Sequence, residues 1–140
     1  MIIKSVIINK GSNNNIKKGM AVSSDNYLVG KIVEVNFATS RVLLLSDLNS
    51  RTPVTIEPGS IQSILTGDGK NAGFIQYIKD NTLIEQNSLV YTSGTGGLFK
   101  PGIPIGKIEI NIDENNVNFF IDFTQLRYVK VSSYIEEQNK

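Results

Sequence analysis

Ser93 stands in Thr92-Ser93-Gly94-Thr95-Gly96-Gly97, where a glycine-rich loop holds a hydroxyl. Such a hydroxyl becomes a nucleophile when a base activates it. The chain has no histidine, which excludes a Ser-His-Asp triad, a histidine general base and every histidine-containing metal site. It has no cysteine either, which removes thiol nucleophiles, disulfides and thiolate ligands. A Ser-Lys pair survives this elimination. The competing reading of Ser93 is local: its hydroxyl bonds nearby backbone and closes the turn.

Other polar groupings are weaker still. Gly94-Thr95-Gly96-Gly97 lacks the Gly-Lys-Ser/Thr ending of a phosphate loop and precedes no helical pattern. Asp47, Asn49 and Asp68 are too few for a calcium loop, and no glutamate falls at the required spacing. Asp113-Glu114 reads as a solvated hairpin tip. Asp47 with Arg51 admits a polar recognition spot, but the simpler reading is a turn-stabilising Asx residue beside an ion pair.

The signal above this background is apolar. Segment 73–78 carries Phe74, Gln76 and Ile78 on one face and Ile75 with Tyr77 on the other. One face must fill a core; Ile75 and Tyr77 must then meet a second sheet, another lobe or a partner. Phe99 poses the same question, being a large aromatic in Gly96-Gly97-Leu98-Phe99-Lys100-Pro101-Gly102. Either these three residues pack between lobes, or they form a docking surface where aromatics concentrate binding energy.

The elements that must position them are strands. No segment sustains a helical period, whereas short apolar or alternating runs recur between Gly, Asn and Pro punctuation. Thr52, Val54 and Ile56 share a face, and Val42-Leu43-Leu44-Leu45 is a buried run too short for a helix. Asp25-Asn26 signals a hairpin, Asn15 suits a left-handed turn, and Gly30 marks a bulge or bend in a strand over 27–36. Asp122 or Thr124 caps one helical turn through Gln125-Leu126. Gly11, Gly19, Gly30, Gly94, Gly97, Gly102 and Gly106 are expected to be structural, at turns or close backbone approaches. Pro101 and Pro104 place their segment at an edge or corner. The pattern predicts an all-β protein of two small barrel lobes. The division falls at Gly67–Asn71: residues 1–70 form a first lobe, completed by C-terminal strands, and 71–140 form a second lobe with the return strands.

At 140 residues the chain can bury a sizeable core, and 40% hydrophobic with 19% charged residues describes a folded protein. The formal net charge of +1 offers no global field for nucleic acid or an anionic membrane surface. No apolar run reaches the roughly 18 residues that span a bilayer. Composition leaves open a cytoplasmic protein or a soluble part of an anchored one.

Several segments, taken in order, resemble the rod-shape-determining MreC family. Asn9-Lys10-Gly11-Ser12 followed by Ile16-Lys17-Lys18-Gly19-Met20-Ala21-Val22 is similar to its opening. Leu28-Val29-Gly30-Lys31-Ile32, Thr39-Ser40-Arg41-Val42-Leu43-Leu44 and Asp47-Leu48-Asn49-Ser50-Arg51-Thr52-Pro53-Val54 match later segments. Thr92 to Gly106 matches the Thr-Ser-Gly-x-Gly-Gly-x-Phe-x-x-Gly-x-Pro-x-Gly signature. Asn15 and Asn87-Ser88 depart from the pattern within turns. The resemblance implies the C-terminal periplasmic domain of an inner-membrane-anchored protein, without the family's transmembrane helix and coiled coil. It implies two six-stranded β-barrel lobes, no enzymatic activity, no cofactor, and a scaffold role in cell elongation and wall synthesis. The implied partners are the protein itself as dimer or filament, the membrane protein MreD, and the elongation-specific penicillin-binding transpeptidase. Nucleic acid is not among them, and membrane contact would come only through the N-terminal helix. The rival readings are a Ser-Lys hydrolase on a protease-like double barrel and a carbohydrate-binding module, the latter disfavoured by the lack of tryptophan.

Overall fold

The computed structural model describes residues 4–76, 84–111 and 114–133. Among the described residues eleven strands run in chain order: β1 (Ser5–Ile8), β2 (Ala21–Ser24), β3 (Tyr27–Val35), β4 (Ser40–Leu44), β5 (Arg51–Glu57), β6 (Ile61–Gly67), β7 (Gly73–Gln76), β8 (Leu89–Thr92), β9 (Pro104–Ile110), β10 (Asn115–Phe119) and β11 (Lys130–Ser132). The helical content of the described residues is three single 3₁₀ turns, at Ser12–Asn14, Thr95–Gly97 and Phe123–Gln125. The all-β expectation therefore holds.

Strands β5 to β10 close into a six-stranded antiparallel barrel in the order β10-β7-β6-β5-β8-β9. The other lobe is a five-stranded sheet, β1-β4-β3-β2-β11, so among the described residues it is one strand short of the closed form expected for both lobes. The strand sets change over between Leu44 and Arg51, while Gly67–Asn71 is the β6–β7 hairpin connection inside the barrel. That turn-rich stretch turns a strand back on its neighbour: Asp68 N–H donates to the Ala72 carbonyl and Lys70 N–H to Asp68 Oδ1. Strand β11 pairs antiparallel with β2 and so joins the sheet of the N-terminal strands.

Strand β3 is the wall between the two cores. Its register against β2 skips Val29, between the pairs Val22↔Gly30 and Ser23↔Leu28. Such a bulge sharpens the local twist and re-aims the flanking side chains. Leu28 packs into the barrel's cluster, with Val54, Ile56, Leu65, Val90, Ile105, Ile108 and Val117. Its neighbour Val29 packs into the sheet's cluster, with Val22, Ile32, Val42 and Leu44. Ala21 and Val22 divide in the same way, so successive residues of β2 and β3 serve opposite cores. Phe123 touches both clusters from the return segment.

Candidate interaction surface

Two of the three apolar candidates belong to the interior. Ile75 is 7% exposed and Phe99 3%, both within the barrel's core cluster. The docking-face reading is corrected at both positions. For Ile75 the cause is register: it lies directly opposite the fully buried Leu65, so it takes the core side of β7 and Phe74 takes the outer one. Tyr77 lies outside the described residues.

Phe99 is turned inward by a residue that the pattern did not single out. Thr92 is buried at the end of β8. Its hydroxyl donates to the Lys100 carbonyl at 2.6 Å and accepts from Ile103 N–H at 2.9 Å. Its backbone accepts from Gly102 N–H at 2.9 Å and donates to the Ile103 carbonyl at 3.0 Å. Four hydrogen bonds thus clamp the glycine-rich loop to one threonine, with Phe99 inside and Leu98 outside, 47% exposed. A β-branched residue ending a strand before Ser-Gly was the available sequence signal.

The predicted glycines divide by cause. Gly19, Gly94, Gly97 and Gly102 hold positive φ. Gly11, Gly30 and Gly106 instead lie where backbone crosses closely, and the last two are strand residues of β3 and β9 rather than turn residues. A Cβ on Gly30 would strike the Leu43 carbonyl, and one on Gly106 the Asn118 carbonyl. Asn15, Asp25 and Asn26 adopt the left-handed conformation expected of them. Pro104 opens β9 beside a register shift against β8, the corner expected of that segment.

The polar groupings resolve into architecture. Ser93 Oγ accepts from Thr95 N–H at 3.1 Å, which is the local turn-closing role. Buried Asp47 accepts from Asn49 N–H through Oδ1 and from Lys4 N–H through Oδ2, each at 2.7 Å. It is an Asx residue that also ties the chain before β1 to the β4–β5 crossover. The expected ion pair beside it is replaced: Arg51 donates to the Leu48 carbonyl at 3.0 Å, and the ion pair among the described residues joins Arg41 to Glu34. Asp122 caps the Phe123–Gln125 turn through Thr124. The Thr124 hydroxyl, then its N–H, hold the Asp122 carboxyl below its ordinary range.

What remains at the surface is apolar side chains without a chemical constellation. Phe37, Phe120, Tyr128, Ile7 and Leu98 are exposed. Phe120 packs against Tyr27 in a tilted pair with ring centroids 5.2 Å apart, next to a cleft of about 510 Å³ that Phe119, Ile121 and Asp122 also line. Such a cleft can seat an apolar or aromatic side chain of another protein; its carboxylate and hydroxyl, Asp122 and Thr124, are bonded to each other in the capped turn.

The family model for rod shape-determining protein MreC, barrel core, matches residues 2–133. The cell shape-determining protein MreC of Caulobacter vibrioides is 38% identical over 122 residues, covering 86% of this chain and 35% of its own length. That of Cereibacter sphaeroides is 33% identical over 129 residues, covering 91% and 43%. The chain thus spans between about a third and a half of these relatives. The crystal structure of MreC from Pseudomonas aeruginosa superposes with a TM-score of 0.85 at 26% identity, over 93% of this chain and 89% of that one. Two further solved structures at 20% identity share the fold. One, with a TM-score of 0.81 over 95% of this chain and 87% of that one, is the major periplasmic domain of the cell shape-determining filament MreC. The other, with a TM-score of 0.69 over 91% and 85%, is a complex between penicillin-binding protein PBP2 and MreC from Helicobacter pylori.

Proposed function

The chain belongs to the rod shape-determining MreC family, and from that premise we propose that it is a non-enzymatic scaffold module of the cell-elongation machinery. The family match over residues 2–133 carries this reading. The module works in the periplasm, as part of a protein held at the inner membrane by a segment outside this chain. There it organises wall synthesis by associating with copies of itself, with MreD and with the elongation-specific penicillin-binding transpeptidase. Two observations on similar folds support the assembly role: one such domain is described as a filament protein, and another is solved in complex with a penicillin-binding protein. The engaged hydroxyl of Ser93 and the lack of histidine and cysteine agree with a scaffold.

Phe120 is the proposed anchor for the transpeptidase, being an exposed aromatic held by Tyr27 beside a cleft. Binding of the purified periplasmic part of the transpeptidase to this chain is expected to saturate. Phe120→Lys should weaken it by about 2 kcal/mol, the usual cost of losing an aromatic anchor, with the melting temperature unchanged. A chain that binds neither the transpeptidase nor itself, or that is labelled by a serine-reactive fluorophosphonate, would overturn the scaffold reading.

A further inference from the structure

Strands β1 and β11 end the five-stranded sheet, so each has one ladder and one free edge among the described residues. The two ends meet at a cleft of about 320 Å³, lined by Ile7, Ile8 and Lys10 on one side and Arg127, Tyr128 and Val131 on the other. The Lys4 carbonyl accepts from Leu44 N–H at 3.0 Å. Antiparallel pairing then directs the backbone groups of Val6 and Ile8 to β4, and those of Ser5 and Ile7 away from it. A row of outward N–H and C=O groups therefore runs along β1.

Proteins usually blunt such an edge with a charge, a proline or a cover. Strand β11 carries Lys130; β1 reads Ser-Val-Ile-Ile and has neither charge nor proline. Its Ile7 is 59% exposed, and Tyr128 across the cleft is 87% exposed. The cleft's lining includes two cations, Lys10 and Arg127, and no carboxylate. Arg41, opposite Ile7 on β4, is already matched by Glu34.

We propose that this cleft is a β-augmentation site that takes an extended acidic segment of a partner protein. The segment pairs its backbone with Ser5 and Ile7. Alternate side chains divide the remaining work, apolar ones covering Ile7 and Tyr128 and carboxylates meeting Lys10 and Arg127. This does not depend on the transpeptidase reading, because neither probe nor readout involves that enzyme.

The test is an amide-resolved NMR titration with an acetylated, amidated peptide that alternates glutamate with valine. The same peptide with lysine for glutamate is the control. Shifts are expected at residues 5–8 and 127–131, with affinity about tenfold lower for the lysine peptide. Ile7→Pro removes an outward N–H without touching a group directed at β4, so it should abolish binding, while Ile7→Thr retains it. If the proline variant fails to fold, a peptide N-methylated at alternate residues serves instead; it cannot pair as a strand and should not bind. Shifts elsewhere only, equal affinity for the lysine peptide, binding that survives N-methylation, or dimerisation of the chain through β1 would each overturn the proposal.

Discussion

The barrel and the sheet are built from similar strands and finish differently. In the barrel each strand has two hydrogen-bonded neighbours, and the core is ringed by β5 to β10 and finished by Ala21, Leu28 and Phe99 from outside that ring. In the sheet β1 and β11 stop with one neighbour each among the described residues, and much of the surrounding apolar surface is only half-buried: Val6, Ile8, Val129 and Val131 pack against five buried residues. Closure buries backbone and side chain together, whereas the open sheet keeps backbone groups available. Among the described residues the barrel therefore presents no strand edge, whereas the sheet ends in two.

The largest expected effect separates interior from surface. Phe99 is buried in the barrel, where truncation of a phenylalanine costs about 3–5 kcal/mol and an unpaired ammonium adds to that. Phe99→Lys should unfold the barrel in a denaturant titration. Tyr128→Lys, on the open side, should stay within about 0.5 kcal/mol of the parent. Equal stabilities for the two variants would erase the distinction between a sealed core and an available face.

Next comes the crossover that joins the two. Asp47→Ala leaves the N–H groups of Lys4 and Asn49 without their acceptor, for a cost of about 1–3 kcal/mol. The loss should register first as faster amide exchange in β1, whose start Asp47 anchors, and at the end of β4, with the barrel amides protected as before. Uniform loss of protection would mean that the lobes unfold as one unit.

Two glycines compare the lobes at matched sites. Gly30 in the sheet and Gly106 in the barrel both face a neighbouring strand's carbonyl where a Cβ would stand. Overpacking of this kind costs about 1–3 kcal/mol, less where the surroundings can yield. Alanine at Gly106 should cost more than alanine at Gly30, because β4, whose Leu43 carbonyl the new Cβ would meet, lies one strand from the sheet's open edge and can yield. The reverse order in melting temperature would show the open lobe to be the stiffer one.

The local features were legible because local chemistry sets them. Asn15, Asp25-Asn26 and Asp122 adopt turn or cap conformations that their own side chains favour, and the alternation of Thr52, Val54 and Ile56 fixes the core side of β5. Sequence alone left Ile75 and Phe99 open between an interior and a docking face, because their environment is non-local. Ile75 is placed by the register of β7 on β6, and Phe99 by Thr92, seven residues earlier in the chain. The free edge of β1 is equally a product of topology, since nothing in Ser5-Val6-Ile7-Ile8 states that the chain returns after 130 to pair with β2 rather than with β1. Buried Asp47 marks the limit of composition: its Asx role was readable, its bond to Lys4 was not.

The smallest effect concerns the return segment from barrel to sheet. Asp122 is fully exposed, and its carboxylate accepts from the Thr124 N–H at 2.9 Å and hydroxyl at 2.6 Å. Those bonds favour the ionised form, so the folded pKa lies below the ordinary 3.8. A carboxyl whose folded pKa is depressed contributes stability that is complete above the unfolded value and is lost as pH falls through the folded one. Asp122→Ala should therefore melt slightly lower than the parent at neutral pH, and the difference should shrink as pH falls through the folded pKa below 3.8, leaving only what a neutral acceptor contributes. Asp122→Asn, which keeps an acceptor but no charge, should fall between the two at neutral pH and lack the acid dependence. The extra exchange caused by either change should appear in β11, downstream of the capped turn, and leave β5 and β6 untouched. A pH-independent difference would assign the cap to packing of Phe123 between the two cores instead of to the carboxylate.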